Sequence, residues 1–215
     1  MRYVKGHGLR TRGRIIEEAS YGLRQTGADG MSLVDLMKRV GLTHGGFYSH
    51  FESREALVIE VFASAMDRTV SHRLKLVNEL PAEERFDAFI GAYLRPGHRD
   101  DRARGCVLPA LGTDIARSSQ KARRVFARKL DEMIDVIAGL FPEESPKQAR
   151  QIATSALATL MGSIALARAV GDKEPSDQIL EAGRKALTDQ SARRRAPVAS
   201  DVRRPNKTCK ENDHD

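Results

Sequence analysis

Gly41-Leu42-Thr43-His44-Gly45-Gly46-Phe47-Tyr48-Ser49-His50-Phe51-Glu52-Ser53-Arg54-Glu55-Ala56-Leu57 is the stretch that decides the fold. Gly41 can take the left-handed conformation that ends a helix. Thr43 is suited to an N-cap, its hydroxyl accepting from a free backbone N–H. Phe47 and Phe51 stand four apart, so they share one side of a helix, and that side must be buried. His44, Gly45, Tyr48 and Ser49 then fall on the outer side. Ser53 caps the following helix, and Glu55 in its first turn complements the helix dipole. A short helix with two glycines and a polar outer face has little reason to form alone. It makes sense as a recognition helix held against a supporting one.

The support lies just upstream. Ser32-Leu33-Val34-Asp35 resembles a capping box in which Asp replaces the usual Glu or Gln. Leu33, Leu36, Met37 and Val40 follow at helical spacing. Two short helices thus flank Gly41-Leu42 as a helix-turn-helix. Ahead of them the spacing predicts a helix over Thr11–Gln25, with Ile15, Ile16, Ala19 and Leu23 inward and Gly27 as its stop.

At this point the sequence resembles a known family. Gly41, Gly45, the pair Phe47-Tyr48, the pair His50-Phe51, and then Ser53-Arg54-Glu55 with Leu57 are similar to the N-terminal signature of the TetR family of transcriptional regulators. Arg54 stands where that family usually has Lys, and Val40 where it often has Ala. The close match covers about the first sixty residues; beyond them the likeness is one of length and helical character. The resemblance implies an all-α fold, with an N-terminal three-helix helix-turn-helix DNA-binding domain and a C-terminal helical ligand-binding and dimerisation domain. It also implies a homodimer that binds double-stranded operator DNA.

Composition agrees with such a partner. Lys and Arg number 36 against 29 Asp and Glu, a net charge of +7, which suits a polyanion. A solvated basic surface would show the same excess; the helix-turn-helix decides between them. No apolar run reaches the roughly 18 residues of a membrane span, and no apolar leader opens the chain, so no membrane partner is expected and the expected compartment is the cytoplasm. Two cysteines, Cys106 and Cys209, make no disulfide framework, and no Cys or His pair has metal-ligand spacing. There is no phosphate loop, no Gly-x-Ser-x-Gly elbow and no His-Glu-x-x-His, so catalytic, metal and cofactor sites are all expected to be absent. An enzyme using Cys106 and His98 is the distant alternative.

Residues 1–9 read as a polar arm, continued in charge by Arg10, Arg12 and Arg14. A long helix is expected from Ser53 to about Asn78, and another over Ala82–Leu94. Pro96 to Arg102 reads as a loop by composition. Pro109 fits the first turn of a helix beginning near Gly105, which puts Cys106 at a helix N-terminus. A helix over Ala122–Leu140 and one from Pro146 to about Val170 follow, then a last one from Pro175. The helix after Pro146 is apolar on more than one face, and one core needs only one stripe. The surplus suggests a four-helix bundle made with a second copy, through Ala156, Leu157, Leu160, Ile164, Ile179, Gly183 and Leu187. A purely intramolecular core is the alternative. The expected domain limits are 1–52, 53–190 and a basic disordered tail over 191–215.

The expected DNA-binding residues are Ser32, Thr43, His44, Gly45, Phe47, Tyr48, Ser49, His50 and Arg54. His44 and Ser49 are assigned to base edges, and Thr43, Tyr48, His50 and Arg54 to phosphates. Phe62, Met66, Phe89, Tyr93, Cys106, Leu111, Phe126 and Met133 are the expected lining of a pocket for an unidentified small-molecule effector, although each equally suits an ordinary core. The expected function is a ligand-responsive repressor that binds a pseudo-palindromic operator and is released by that molecule. The alternative is a redox or electrophile sensor acting through Cys106.

Overall fold

Serine punctuates the chain. Ser32, Ser53, Ser119 and Ser145 each occupy an N-cap, the hydroxyl accepting from the backbone N–H three residues on. Such caps satisfy N–H groups that a helix cannot pair internally. The computed structural model describes residues 5–195. Its helices are α1 (Lys5–Gly30), α2 (Leu33–Arg39), α3 (Arg54–Asn78), α4 (Ala82–Tyr93), α5 (Pro96–Asp100), α6 (Leu108–Ala116), α7 (Gln120–Ala138), α8 (Pro146–Ala169) and α9 (Lys173–Arg195). A 3-10 helix, His44–Ser49, stands between α2 and α3. No strand occurs among the described residues.

α1, α2 and the 3-10 helix pack around Ile15, Ala19, Leu23, Leu36, Met37, Phe47 and Phe51, all buried. α3 leaves this unit and runs into the second, where it packs on α4 and α7; α8 lies between α7 and α9. Two carboxylates tie the units together. Asp114 of α6 accepts from Ala28 N at 2.7 Å, just past the break that Gly27 makes in α1 at φ 75°. Glu55 of α3 accepts from Ser119 N at 3.0 Å, at the start of α7.

The structure corrects several expected boundaries. α1 begins at Lys5, so most of the expected arm is helix; residues 1–4 lie outside the described residues. Pro96–Asp100 is a short helix rather than a loop, held by Arg99, which pairs with Asp100 and Asp177. Arg168 adds bonds to the carbonyls of His98 (2.9 Å) and Arg99 (3.1 Å). α9 extends to Arg195, so the expected tail starts too early; residues 196–215 lie outside the described residues. α8 is, by length and hydropathy alone, apolar enough to cross a membrane, against the expectation that no segment is. Much of that apolarity is internal. Ile152, Ala156, Leu157, Leu160 and Ile164 are buried in the core of the single chain.

Those buried positions overturn the assigned dimer residues. Ala156, Leu157, Leu160, Ile164 and Leu187 are at most 3% exposed within one chain and so cannot meet a second copy. Ile179 is half-buried against the same core. Gly183 is buried too: a Cβ there would lie 2.2 Å from Ser163 Oγ, so this glycine lets α9 approach α8 of its own chain. Spacing alone does not separate the two apolar faces of α8, because neither carries a mark of inside or outside. The outer face of α8 holds Ala158, Gly162, Ala165 and Leu166, all exposed, and α9 adds Ala182 and Ala186.

Candidate nucleic-acid interface

The 3-10 helix is a thin layer laid on an aromatic base. Phe47 and Phe51 are buried and stacked, ring centroids 5.5 Å apart. Burying one such ring contributes about 2 kcal/mol. Arg12 of α1 lies over the Phe51 ring at 4.5 Å and donates to the His50 carbonyl at 3.3 Å. It also forms an ion pair with Glu60 of α3. Gly41, at φ 73°, turns the chain out of α2, and Arg14 donates to the Val40 carbonyl there at 2.9 Å. Thus Arg12 and Arg14 serve the fold of this unit rather than extending a free basic arm.

Tyr48 stands edge-on to Phe47 with centroids 5.2 Å apart, and to His44 at 6.1 Å. Its side of the turn is open: Tyr48 is 61% exposed. Thr43, His44, Gly45 and Ser49 are exposed around it, and Ser32 lies exposed at the start of α2. Gly45 faces open space where a Cβ would meet nothing. Ser49 is braced by donating to the Gly46 carbonyl at 2.7 Å. Thr43 has the extended N-cap conformation but makes no side-chain cap bond, contrary to expectation. His50 is half-buried at the C-terminal end of the turn.

Two assigned residues do not belong on this surface. Phe47 is fully buried and supports the surface from below. Arg54 donates to the carbonyls of Ala28 (2.5 Å), Asp29 (3.2 Å) and Met31 (2.5 Å). It therefore closes the C-terminal end of α1, where unpaired carbonyls collect, and its charge also suits the helix dipole there.

The expected effector lining fares differently. Phe62, Met66, Phe89, Tyr93, Leu111 and Met133 are buried and close-packed, and Phe126 stacks on Phe62 at 5.2 Å. Of the eight, Cys106 alone lines a cavity of about 420 Å³ between α1, α3 and the α5–α6 segment. Much of the rest of its wall is charged. Arg24, Arg68, Arg73, Arg95 and Arg104 contribute to it, and none was expected there. A signal did exist for Arg73, which stands seven residues after Met66 and four before Val77 on the apolar stripe of α3; Arg24, next to Leu23, carries none.

Cys106 precedes the N-cap Val107 of α6 rather than standing in its first turn, and it is 3% exposed. Its N–H donates to His98 Nε2 at 2.9 Å, while His98 Nδ1 donates to the Tyr93 carbonyl at 2.7 Å. Both ring nitrogens are engaged as a neutral imidazole requires. Burial opposes protonation and takes the pKa down to about 4, although the bond to Tyr93 pulls the other way. This imidazole has no lone pair left to take the thiol proton. Burial, with the adjacent Cys106, raises the Tyr93 phenol well above its usual range. Among the described residues no group of His, Cys, Asp or Glu is placed to hold a metal.

The sequence matches two family models. Residues 15–61 match the bacterial regulatory proteins of the tetR family, and residues 82–182 match the C-terminal domain of LmrA/YxaF-like transcriptional regulators. The chain is 27% identical, over 78% of its length and 89% of the relative's, to an uncharacterized HTH-type transcriptional regulator of Mycobacterium tuberculosis. It is 24% identical, over 79% of its length and 88% of the relative's, to the HTH-type transcriptional repressor DhaR of Mycobacterium sp. strain GP1. In fold it is similar to the reduced form of Escherichia coli NemR, with a TM-score of 0.70 and 19% identity over 84% of this chain and 96% of that one. It is likewise similar to a TetR-family regulator of Agrobacterium tumefaciens, with a TM-score of 0.69 and 19% identity over 87% and 98%.

Proposed function

Because the chain belongs to the tetR family of bacterial regulatory proteins and is a transcriptional regulator rather than an enzyme, we propose that it acts as a homodimeric, effector-released repressor. The observation that carries the DNA-binding part is the aromatic base of the 3-10 helix, which leaves Tyr48, His44 and Ser49 facing outward. The turn enters the major groove. His44 and Ser49 meet base edges, Tyr48 reaches the backbone or a thymine methyl, and Thr43 and Ser32 meet phosphates. The second copy docks on the outer face of α8 and α9, around Gly162, Ala165 and Leu166. The small side chains there permit close helix approach. Two reading heads then face half-sites about one helical turn apart. A small molecule bound in the second unit favours a state in which the heads are misspaced, a shift of population. The relative DhaR is itself a repressor by name.

Tyr48→Ala tests this reading. The ring packs on the surface only, so folding stability should change by less than about 0.5 kcal/mol. Operator affinity should fall by about 1–3 kcal/mol, and the affinity of wild type should drop steeply with salt as phosphate contacts release counterions. Unchanged affinity in the variant would remove Tyr48 from the interface.

A second reading, sensing at Cys106, is favoured by the place of the thiol on the cavity wall. Maleimide should then release operator DNA from wild type and leave Cys106→Ser unaffected. An equal response in both would end it.

A further inference from the structure

The cavity carries more positive charge than the fold requires. Five arginines line it against one carboxylate, Asp101. That carboxylate is already engaged by Arg104, through the backbone N–H at 3.2 Å and the guanidinium at 3.6 Å. An adjoining recess shares Arg24, Arg68 and Arg104 and adds one acid, Glu17. Arg24 and Arg73 are each only 9% exposed. Arg24 donates one terminal nitrogen to the carbonyl and hydroxyl of Ser20, yet its buried Nε has no hydrogen-bond partner. Arg68 donates to the same Ser20 hydroxyl at 3.1 Å, so two guanidiniums converge on one oxygen. Arg73 lies over the Tyr93 ring at 5.4 Å, a cation–π contact that supplies no counter-charge.

A buried charge is costly unless it is paired. Arg99, equally buried, meets that condition with Asp100 and Asp177; Arg24 and Arg73 do not. Burial lowers the pKa of both, and the like charge of Arg68 adds to this at Arg24. A guanidinium nevertheless stays charged.

We propose that this cavity is the effector site and that its ligand is a small organic or phosphorylated anion whose oxyanion lies between Arg24 and Arg73. The volume, about 420 Å³, is that of a small-molecule site, and Ala65, Thr69 and Cys106 offer the remainder of such a molecule an apolar wall. Duplex DNA cannot enter a space of this size. The inference rests on the effector-released reading above and gives it a route. Arg24 and Ser20 belong to α1, which carries the DNA-reading unit, while Arg73 belongs to α3. Gly105-Cys106 leads into α6, whose Asp114 holds the end of α1 at Ala28. An anion drawing Arg24 and Arg73 together shifts α1 against α3.

The test uses the full chain with benzoate, octanoate and inorganic phosphate at constant ionic strength, beside the neutral benzamide and octanamide. Thermal unfolding is followed without DNA, then operator binding on the same samples. At least one anion should raise Tm while its neutral counterpart does not, and the carboxylate and phosphate arms separate the two ligand classes. That anion should weaken operator binding by about tenfold. Arg73→Met should abolish the rise in Tm while the ligand-free protein stays as stable as wild type or gains stability, because an unpaired buried cation has gone. If Arg73→Met fails to fold, Arg68→Gln at an exposed position decides instead, and its response should drop several-fold. The inference is overturned if no anion raises Tm, if an amide matches its acid, or if the variants respond as wild type does. It is also overturned if a bound anion leaves operator affinity unchanged. Failure of anion binding in a chain that still binds operator as a dimer removes this inference alone; failure of ligand-free wild type to bind any operator removes the repressor reading.

Discussion

The 3-10 helix and α8 both carry apolar residues beside small ones, yet only the first declares its sides in the sequence. In the 3-10 helix, Phe47 is the large apolar residue, stacked on Phe51 two residues beyond its end, and everything else in the turn is small or polar apart from Tyr48. One face can be buried and the other cannot. α8 has Leu157, Leu160 and Ile164 inward and Ala158, Ala165 and Leu166 outward. Both of its faces are buriable, so periodicity finds the helix and leaves its orientation open. An amphipathic contrast, more than apolarity itself, makes a surface legible.

The sharpest way to break that comparison is to place a charge on each face of α8. Leu166 is 61% exposed in the single chain, so Leu166→Glu should leave the protomer folded. If the outer face joins two copies, sedimentation should show monomers, and operator affinity should fall by about 100- to 10,000-fold as the linked second half-site contact is lost. A variant that remains dimeric would move the interface elsewhere. Leu160, fully buried, should behave in the opposite way. Leu160→Ala should lower unfolding stability by about 2–5 kcal/mol through the cavity it leaves, while the folded fraction remains dimeric. Equal effects of the two substitutions on stability would mean that the sides of α8 are misassigned.

Most of the helices could be read from the sequence because their stops and caps are local chemistry. Ser32 and Ser53 are caps in fact as well as in pattern, and Gly27 and Gly41 take the positive φ their positions require. Tyr48, His44 and Ser49 were legible as an exposed face for the same reason. What sequence spacing could not convey was tertiary pairing. Arg54 suits a phosphate contact by its place in the motif, yet three carbonyls at the end of α1 claim it, and that end is brought near only by folding. Of the expected effector lining, Phe62, Met66, Phe89, Tyr93, Leu111 and Met133 pack in the core, while Cys106 lines the arginine cavity. Arg24 and Arg73 line one cavity from two helices, some fifty residues apart in the chain, a juxtaposition that no local pattern encodes.

Arg54 gives a smaller and finer test of the same division. Arg54→Ala should cost about 1–3 kcal/mol of stability by leaving the α1 carbonyls unpaired. The slope of operator affinity against salt should stay that of wild type. A slope reduced by about one phosphate contact with unchanged stability would restore the DNA assignment.

The central claim, that two copies present the His44–Ser49 turn to successive major grooves, is tested most directly by hydroxyl-radical footprinting on the DNA flanking the gene. The account predicts two protected patches on one face of the duplex, centred about one helical turn apart, both lost in Tyr48→Ala and in Leu166→Glu. A single patch, or protection that survives both substitutions unchanged, would contradict it.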